Sequence, residues 1–323
     1  MQQITQVVAA YWIVSISMVY LNKLLLSDPQ VSIPAPLFIT WFQCIITVVI
    51  CMVLGKISSK GQGFGGKEFL GDHPEVKYDV KRGIQILPLS LIFVSMITFN
   101  NLCLKYVEVS FYNVARSLSL VFNVLFTYLV LGNVTSKATC ATLVLICGGF
   151  YIGIEGELNF SLIGTVCGVL SSIFVSLNSI YTAKVLPKVD GDKSLLLYYN
   201  NVNGSILFLP LIFLYEYSLL RENFDKFLSF RFWLAMTFTG IMGYAIGLVT
   251  VMQVKYTSPL THNISGTAKA ALQSLLAFYI WGNEATFKGI LGILLVIVGS
   301  GLYTWVQMVS KASDKDVLPF AKK

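Results

Sequence analysis

Three features of this chain predict an all-α integral membrane protein of ten transmembrane helices, arranged as two inverted five-helix repeats. Mean hydropathy is +0.72 and only 12% of the 323 residues are charged, against about 25% in soluble domains. Runs free of Asp, Glu, Lys and Arg recur at lengths near the roughly 20 apolar residues that span a bilayer. The second half of the chain also repeats landmarks of the first at a constant offset of 150 residues.

The spans follow in order. Residues 5–26 read as a retained first helix, because no basic n-region or small-residue cleavage site accompanies them. Spans at 29–55 and 83–104 are joined by the longest connection, 56–83, whose Gly61, Gly63, Gly65 and Gly66 predict a flexible loop. The fourth charge-free run is 117–136, with Arg116 about two turns into its helix, and 138–154 closes the first half. Runs at 158–183, 194–215 and 232–254 open the second half. The penultimate span, 256–283, is interrupted only by Lys269, and 289–310 completes the ten.

Ten spans put both termini on one side. The connections on that side carry fifteen Lys and Arg and those on the other carry five, whereas acids divide eight and eight. Cation asymmetry of this kind predicts cytosolic termini. The repeat is marked by Lys105-Tyr106 and Lys255-Tyr256, Asn113 and Asn263, Gly132-Asn133 and Gly282-Asn283, and Gly149 and Gly299. A weaker echo joins Tyr20, Lys23 and Leu25 to Tyr181, Lys184 and Leu186. The expected domains are 1–155, 156–310 and a cytosolic tail, 311–323. Five spans per half is an odd number, so the halves insert in opposite senses, as in secondary transporters with a midplane site.

Several function classes fall away. Cys44, Cys51, Cys103, Cys140, Cys147 and Cys167 lie within spans without a CxxC pair, and read as small apolar residues. His73 and His262 suggest no metal site, and no cofactor is expected. A proton-coupled exporter would want a membrane-embedded carboxylate, and the spans have none. A lipid-modifying enzyme would want paired acids for a metal, for which only Glu155 and Glu157, in a turn, are close together.

Three cations remain inside apolar spans: Lys23, Arg116 and Lys269. A charge at membrane depth costs about 2.5–3.5 kcal/mol and survives mainly where it lines a polar cavity. With no acid to match them, the economical counter-charge is an anionic ligand. The repeat sets Gly266 opposite Arg116, and Lys269 lies three residues further on, so both cations are expected to face one cavity. Arg offers a planar fork and Lys a point charge, a pair suited to diphosphate. The rival reading of each is snorkelling or helix pinning through carbonyls. Lys23, after Asn22, lies near a span end, where snorkelling competes with phosphate contact, and Lys184 is the same case in the second half.

Neutral polar residues add detail. Tyr198, Tyr199, Asn200 and Asn201, followed by Asn203, concentrate amides and rings that could hold a purine base. Interhelical hydrogen bonding is the alternative. Ser265, Gly266 and Thr267 allow close approach and offer hydroxyls suited to a sugar, with Asn22 and Asn113 as further candidates.

Four stretches resemble the GDP-fucose branch of the nucleotide-sugar transporters, within the drug/metabolite transporter superfamily. They are KYTSPLTHNISGTAKA at 255–270, FYNVARSL at 111–118, YTAKVLPKVDG at 181–191 and YYNNVNGSILFLP at 198–210. The resemblance covers nearly the whole chain. It implies a multi-pass Golgi membrane antiporter, not an enzyme, that exchanges cytosolic GDP-fucose for lumenal GMP by alternating access. The partners implied are GDP-fucose, GMP and the lipid bilayer; a homodimer is left open and nucleic acid is not expected. Another GDP-sugar or phosphorylated metabolite is the alternative cargo. Related GDP-sugar transporters contact guanine through an FYNN motif, matched here by Tyr198-Tyr199-Asn200-Asn201 with Tyr for Phe. Their GALNK motif contacts sugar and phosphate; Ser265-Gly266-Thr267-Ala268-Lys269 keeps its Lys in register and departs at the sugar-contacting positions.

Overall fold

The computed structural model describes residues 2–27, 33–59, 77–131, 136–156, 160–256 and 286–316, together with 266, 268–270, 272–274, 276 and 279. Apolar runs become long helices because each satisfies its own backbone hydrogen bonds, the condition for crossing hydrocarbon. They are α1 (Gln2–Ser27), α2 (Pro36–Ser59), α3 (Val80–Tyr106), α4 (Val109–Leu131), α5 (Lys137–Gly156), α6 (Leu162–Val185) and α7 (Lys193–Tyr215). A short α8 (Tyr217–Glu222) precedes α9 (Phe230–Tyr256), and α10 (Phe287–Asp316) comes last. Eight of the described helices are long and apolar enough to cross a membrane.

Helix α4 starts at Val109, before the charge-free run, so Arg116 lies two turns inside it, as expected. Two local features differ from the sequence reading. Glu155 belongs to the last turn of α5 rather than to the turn beyond, and pairs with Lys288 at 2.8 Å. Among the cysteines, Cys140 and Cys147 are exposed on α5 and the other four are buried. The glycine-rich part of the 56–83 connection and Glu157 lie outside the described residues.

The described chain forms two compact units. The first comprises residues 1–16, 106–176 and 249–323, and the second comprises 17–105 and 177–248. Each therefore draws on both halves of the sequence, and α1, α6 and α9 contribute to both units.

In the first unit α5 and α10 meet almost backbone to backbone. A Cβ placed on Gly149 would lie 2.9 Å from the Val296 amide nitrogen, and one on Gly292 would lie 2.7 Å from that of Gly153. Gly156 abuts Gly289, and Gly299 sits against Ile146. Small residues allow this approach, and van der Waals packing then holds the helices where lipid supplies no hydrophobic drive. Helix α6 is fastened to α4 by two hydroxyls one turn apart: Ser172 Oγ donates to the Ala115 carbonyl at 2.8 Å and Ser176 Oγ to that of Ser119 at 2.7 Å.

Polar ties hold the second unit. The α6–α7 connection turns on Asp190, in the left-handed region at φ 58°, and Gly191 at φ 77°. Asp192 then caps α7 through the Ser194 and Leu195 amides. Glu216, 5% exposed just beyond α7, accepts from the Leu37 and Phe38 amides at 2.9 Å each and so caps α2 from a distance. Burial pushes its carboxyl above the usual range, against the opposing pull of those amides and of Lys105.

Two predictions follow from this packing. Gly292→Ala must force α5 and α10 apart, at a cost of about 1–3 kcal/mol, seen as a lower melting temperature of the purified protein. Glu216→Ala removes the cap of α2 and costs ~1 kcal/mol, whereas Glu216→Gln keeps one acceptor oxygen and loses less. Because the folded carboxyl holds its proton more readily than the unfolded one, stability falls as pH rises from the ordinary carboxylate pKa through the raised one. Melting temperatures across that window should slope for the native chain and flatten for Glu216→Gln.

Candidate functional site

A cavity of about 280 Å³ opens within the first unit, lined from α1, α4, the described part of 266–279 and α10. Arg116 and Lys269 both line it. Arg116 sits deep in the unit with its side chain open to the cavity. It reaches the cavity because α4 is already two turns old there, and Nη1 donates to the Tyr112 hydroxyl one turn earlier, at 3.0 Å. Lys269 Nζ donates to Ser15 Oγ at 2.5 Å and lies 5.3 Å from the centre of the Tyr11 ring. Tyr11 and Ser15 are one turn apart on α1, so one helical face holds the ammonium by a hydroxyl and a π-cloud.

The described partners of these two cations are neutral, and none of the described residues lining the cavity is an acid. Neutral donors and acceptors orient a charge without cancelling it. The two cations also lie close enough to repel each other. An anion entering here would gain from both at once, in surroundings of lower dielectric than water.

Asn113 and Gly266 line the same cavity, and Asn113 Nδ2 donates to Ser274 Oγ at 3.2 Å. Thus Lys269, Arg116, Asn113 and Gly266 come together, as the repeat led us to expect. Ser265 and Thr267 lie outside the described residues.

The remaining predicted residues belong to the second unit. Lys23 Nζ donates to the Leu104 carbonyl at 2.7 Å, and Asn22 Oδ1 accepts from Gln43 at 3.0 Å, so both make helix-to-helix contacts. Lys184 is exposed, with its ammonium 5.6 Å from the Tyr181 ring. Tyr198 is buried in an apolar cluster with Ile86 and Leu89. The Tyr199 hydroxyl donates to the Lys77 carbonyl and accepts from the Asp79 amide, tying α7 to the entry of α3. Asn203 continues that tie, giving to the Gly83 carbonyl and Ser90 Oγ and accepting from the Tyr78 hydroxyl. Asn201 Nδ2 gives to the Leu197 carbonyl.

Asn200 differs from these neighbours. It is 8% exposed, and its Oδ1 is buried without a hydrogen-bond partner among the described residues. Leaving such an acceptor unmet costs about 1–3 kcal/mol, and a native exception asks for a reason. A ligand N–H would supply one.

Sequence reasoning missed Tyr11, Ser15, Gln273, Ser300 and Thr304. The hydroxyl pairs at i and i+4 were visible, but in apolar helices such residues usually bond their own backbone, which hides any other role.

A sequence model of the Triose-phosphate Transporter family matches residues 2–304. The mouse protein "GDP-fucose transporter 1" is 47% identical over 308 residues, covering 94% of this chain and 83% of its own length. The Drosophila melanogaster protein "GDP-fucose transporter, Golgi" is 40% identical over 306 residues, covering 94% of this chain and 89% of its own. A solved crystal structure, 15% identical, aligns with a TM-score of 0.56 over 92% of this chain and 98% of that one, a likeness of fold alone.

Proposed function

The chain belongs to the triose-phosphate transporter family, and on that premise we propose that it carries GDP-fucose across the Golgi membrane, from cytosol to lumen, in exchange for GMP. It is a transporter and not an enzyme. Golgi residence is supported by the name of the Drosophila relative. The carrying observation is the Arg116–Lys269 cavity, where two cations with neutral partners face space that no described acid shares. There the diphosphate binds, Arg116 through its fork and Lys269 as a point charge.

The proposed frame is ten spans in two inverted halves, 1–155 and 156–310, with a tail from 311 and both termini cytosolic. The glycine seam supports it. Gly149 packs on Val296 and Gly299 packs on Ile146. Moving one partner forward by 150 residues and the other back by 150 turns the first contact into the second, which is what a two-fold relation between halves produces. Cation asymmetry supports the orientation.

Guanine recognition is assigned to Asn200. The base presents N1–H and an exocyclic amino group side by side, both donors, and the unpartnered Oδ1 is an acceptor. Tyr199 and Asn203 contribute by holding α7 to the entry of α3.

Exchange by alternating access follows from electrostatics. An empty cavity leaves two like charges uncompensated at membrane depth, which disfavours the crossing without ligand, and either GDP-fucose or GMP relieves the cost.

Lys269→Ala should abolish GDP-fucose/GMP counterflow in liposomes, and robust counterflow by that variant would sink the reading. Competition by GDP, UDP, CMP and triose phosphate separates it from carriage of another phosphorylated metabolite. Asn200→Leu should leave the melting temperature of the ligand-free protein level or higher, while GDP binding weakens about tenfold, near 1.4 kcal/mol. A purely structural asparagine would show the opposite pattern, a lower melting temperature with GDP affinity retained.

A further inference from the structure

Besides its two cations, the cavity is lined by neutral hydroxyls. Thr304 Oγ1, 4% exposed, gives its only proton to the Ser300 carbonyl at 2.9 Å. Ser117 Oγ gives its proton to the Val114 carbonyl at 2.6 Å. Both line the cavity, and with their protons committed both can offer it only lone pairs. An ionised phosphate also has only lone pairs, so these hydroxyls could serve it only by giving up those backbone bonds. They suit a group that donates.

Helix α10 brings more than Thr304. Ser300 lies one turn earlier and faces the same cavity at 7% exposure, and Ile297 adds a half-buried apolar side chain. One helix thus presents acceptors and hydrocarbon in adjacent turns. A hexose with ring hydroxyls and a terminal methyl in place of a hydroxymethyl matches that sequence of surfaces. The volume agrees, since about 280 Å³ lies just under the roughly 300–1,000 Å³ of sites that enclose a whole drug-sized ligand. It is room for part of a nucleotide sugar, the part that carries phosphate and sugar.

We propose that the cavity face of α10, through Thr304, Ser300 and Ile297, is the wall that reads the sugar, with Thr304 accepting from a ring hydroxyl and Ile297 packing on the 6-deoxy methyl. This rests on the GDP-fucose reading above, and it places sugar selectivity on a helix outside the Ser265–Lys269 segment. A bare nucleoside monophosphate never touches the wall. A 6-hydroxylated hexose meets it with a hydroxyl pressed against Ile297, which leaves that hydroxyl desolvated.

The test is uptake of labelled GMP by proteoliposomes preloaded with GMP, with GDP-fucose, GDP-mannose and unlabelled GMP as competitors. For Thr304→Val, which keeps the shape and removes the acceptor, the ratio of half-inhibitory concentrations for GDP-fucose over GMP should rise about three- to tenfold, the worth of one neutral hydrogen bond. For Ile297→Ser the preference for GDP-fucose over GDP-mannose should narrow by roughly as much. Ser300→Ala decides by the same ratio if Thr304→Val fails to fold, which loss of all GMP uptake would reveal. Ratios that stay level in these variants, while native protein is inhibited by GDP-fucose, overturn the sugar wall and leave the function standing. Native protein that GDP-fucose does not inhibit overturns the function, and the wall with it.

Discussion

Two positive charges kept apart from any described acid are the constraint to which the rest of this molecule answers. A cation at membrane depth normally finds a carboxylate, because the pair is less costly than either ion alone. Here Lys269 is met by the Ser15 hydroxyl and the Tyr11 ring, and Arg116 by the Tyr112 hydroxyl. Such partners fix position while leaving the field intact. A carboxylate in the same place would rigidify the cavity but spend its attraction for an anion. On the proposed function, the arrangement is completed by cargo.

Rigid surroundings make that tension tolerable. Helices α5 and α10 meet through glycines at backbone distance, and α6 is fastened to α4 by two hydroxyl rungs. Close-packed interiors deform little and transmit strain, so α4 and α10 carry Arg116 and Thr304 on a frame that cannot relax around the charges. In the second unit the buried acid Glu216 is used on backbone. Its two oxygens are taken by the amides that open α2.

How much of this could be read from the sequence depends on the kind of signal. Charge-free runs located the helices because hydrocarbon forbids exposed backbone polar groups, a rule that leaves a mark at every residue. Arg116 and Lys269 could be brought to one cavity because a charge in an apolar span is conspicuous and the 150-residue offset relates their helices. Lys23 was equally conspicuous, and only coordinates reveal the Leu104 carbonyl on which it ends. The run Tyr198–Asn203 shows the limit most clearly. Six adjacent residues share one composition, yet Tyr199 and Asn203 tie a loop, Tyr198 packs in a core and Asn200 alone keeps an unmet acceptor. Helical geometry distributes neighbours by 100° steps, and which step faces what is a property of packing.

The hydroxyls of α10 were illegible for a related reason. Ser and Thr in apolar helices back-bond to the preceding turn, so their presence says little about the space beyond. That same back-bond gives Thr304 chemical direction once the cavity is known. A threonine free to rotate could donate or accept and would serve phosphate or sugar alike; one whose proton is held by the Ser300 carbonyl must break that bond before it can donate. The cavity thereby sets charged donors, at Arg116 and Lys269, beside neutral acceptors, at Ser117 and Thr304, with the amides of Asn113 and Gln273 as further neutral groups. A sugar phosphate carries the complementary set, acceptors that are charged and donors that are neutral. Matching on both counts at once discriminates against an inorganic anion and against an uncharged sugar, since each meets half of the site with nothing to satisfy the other half.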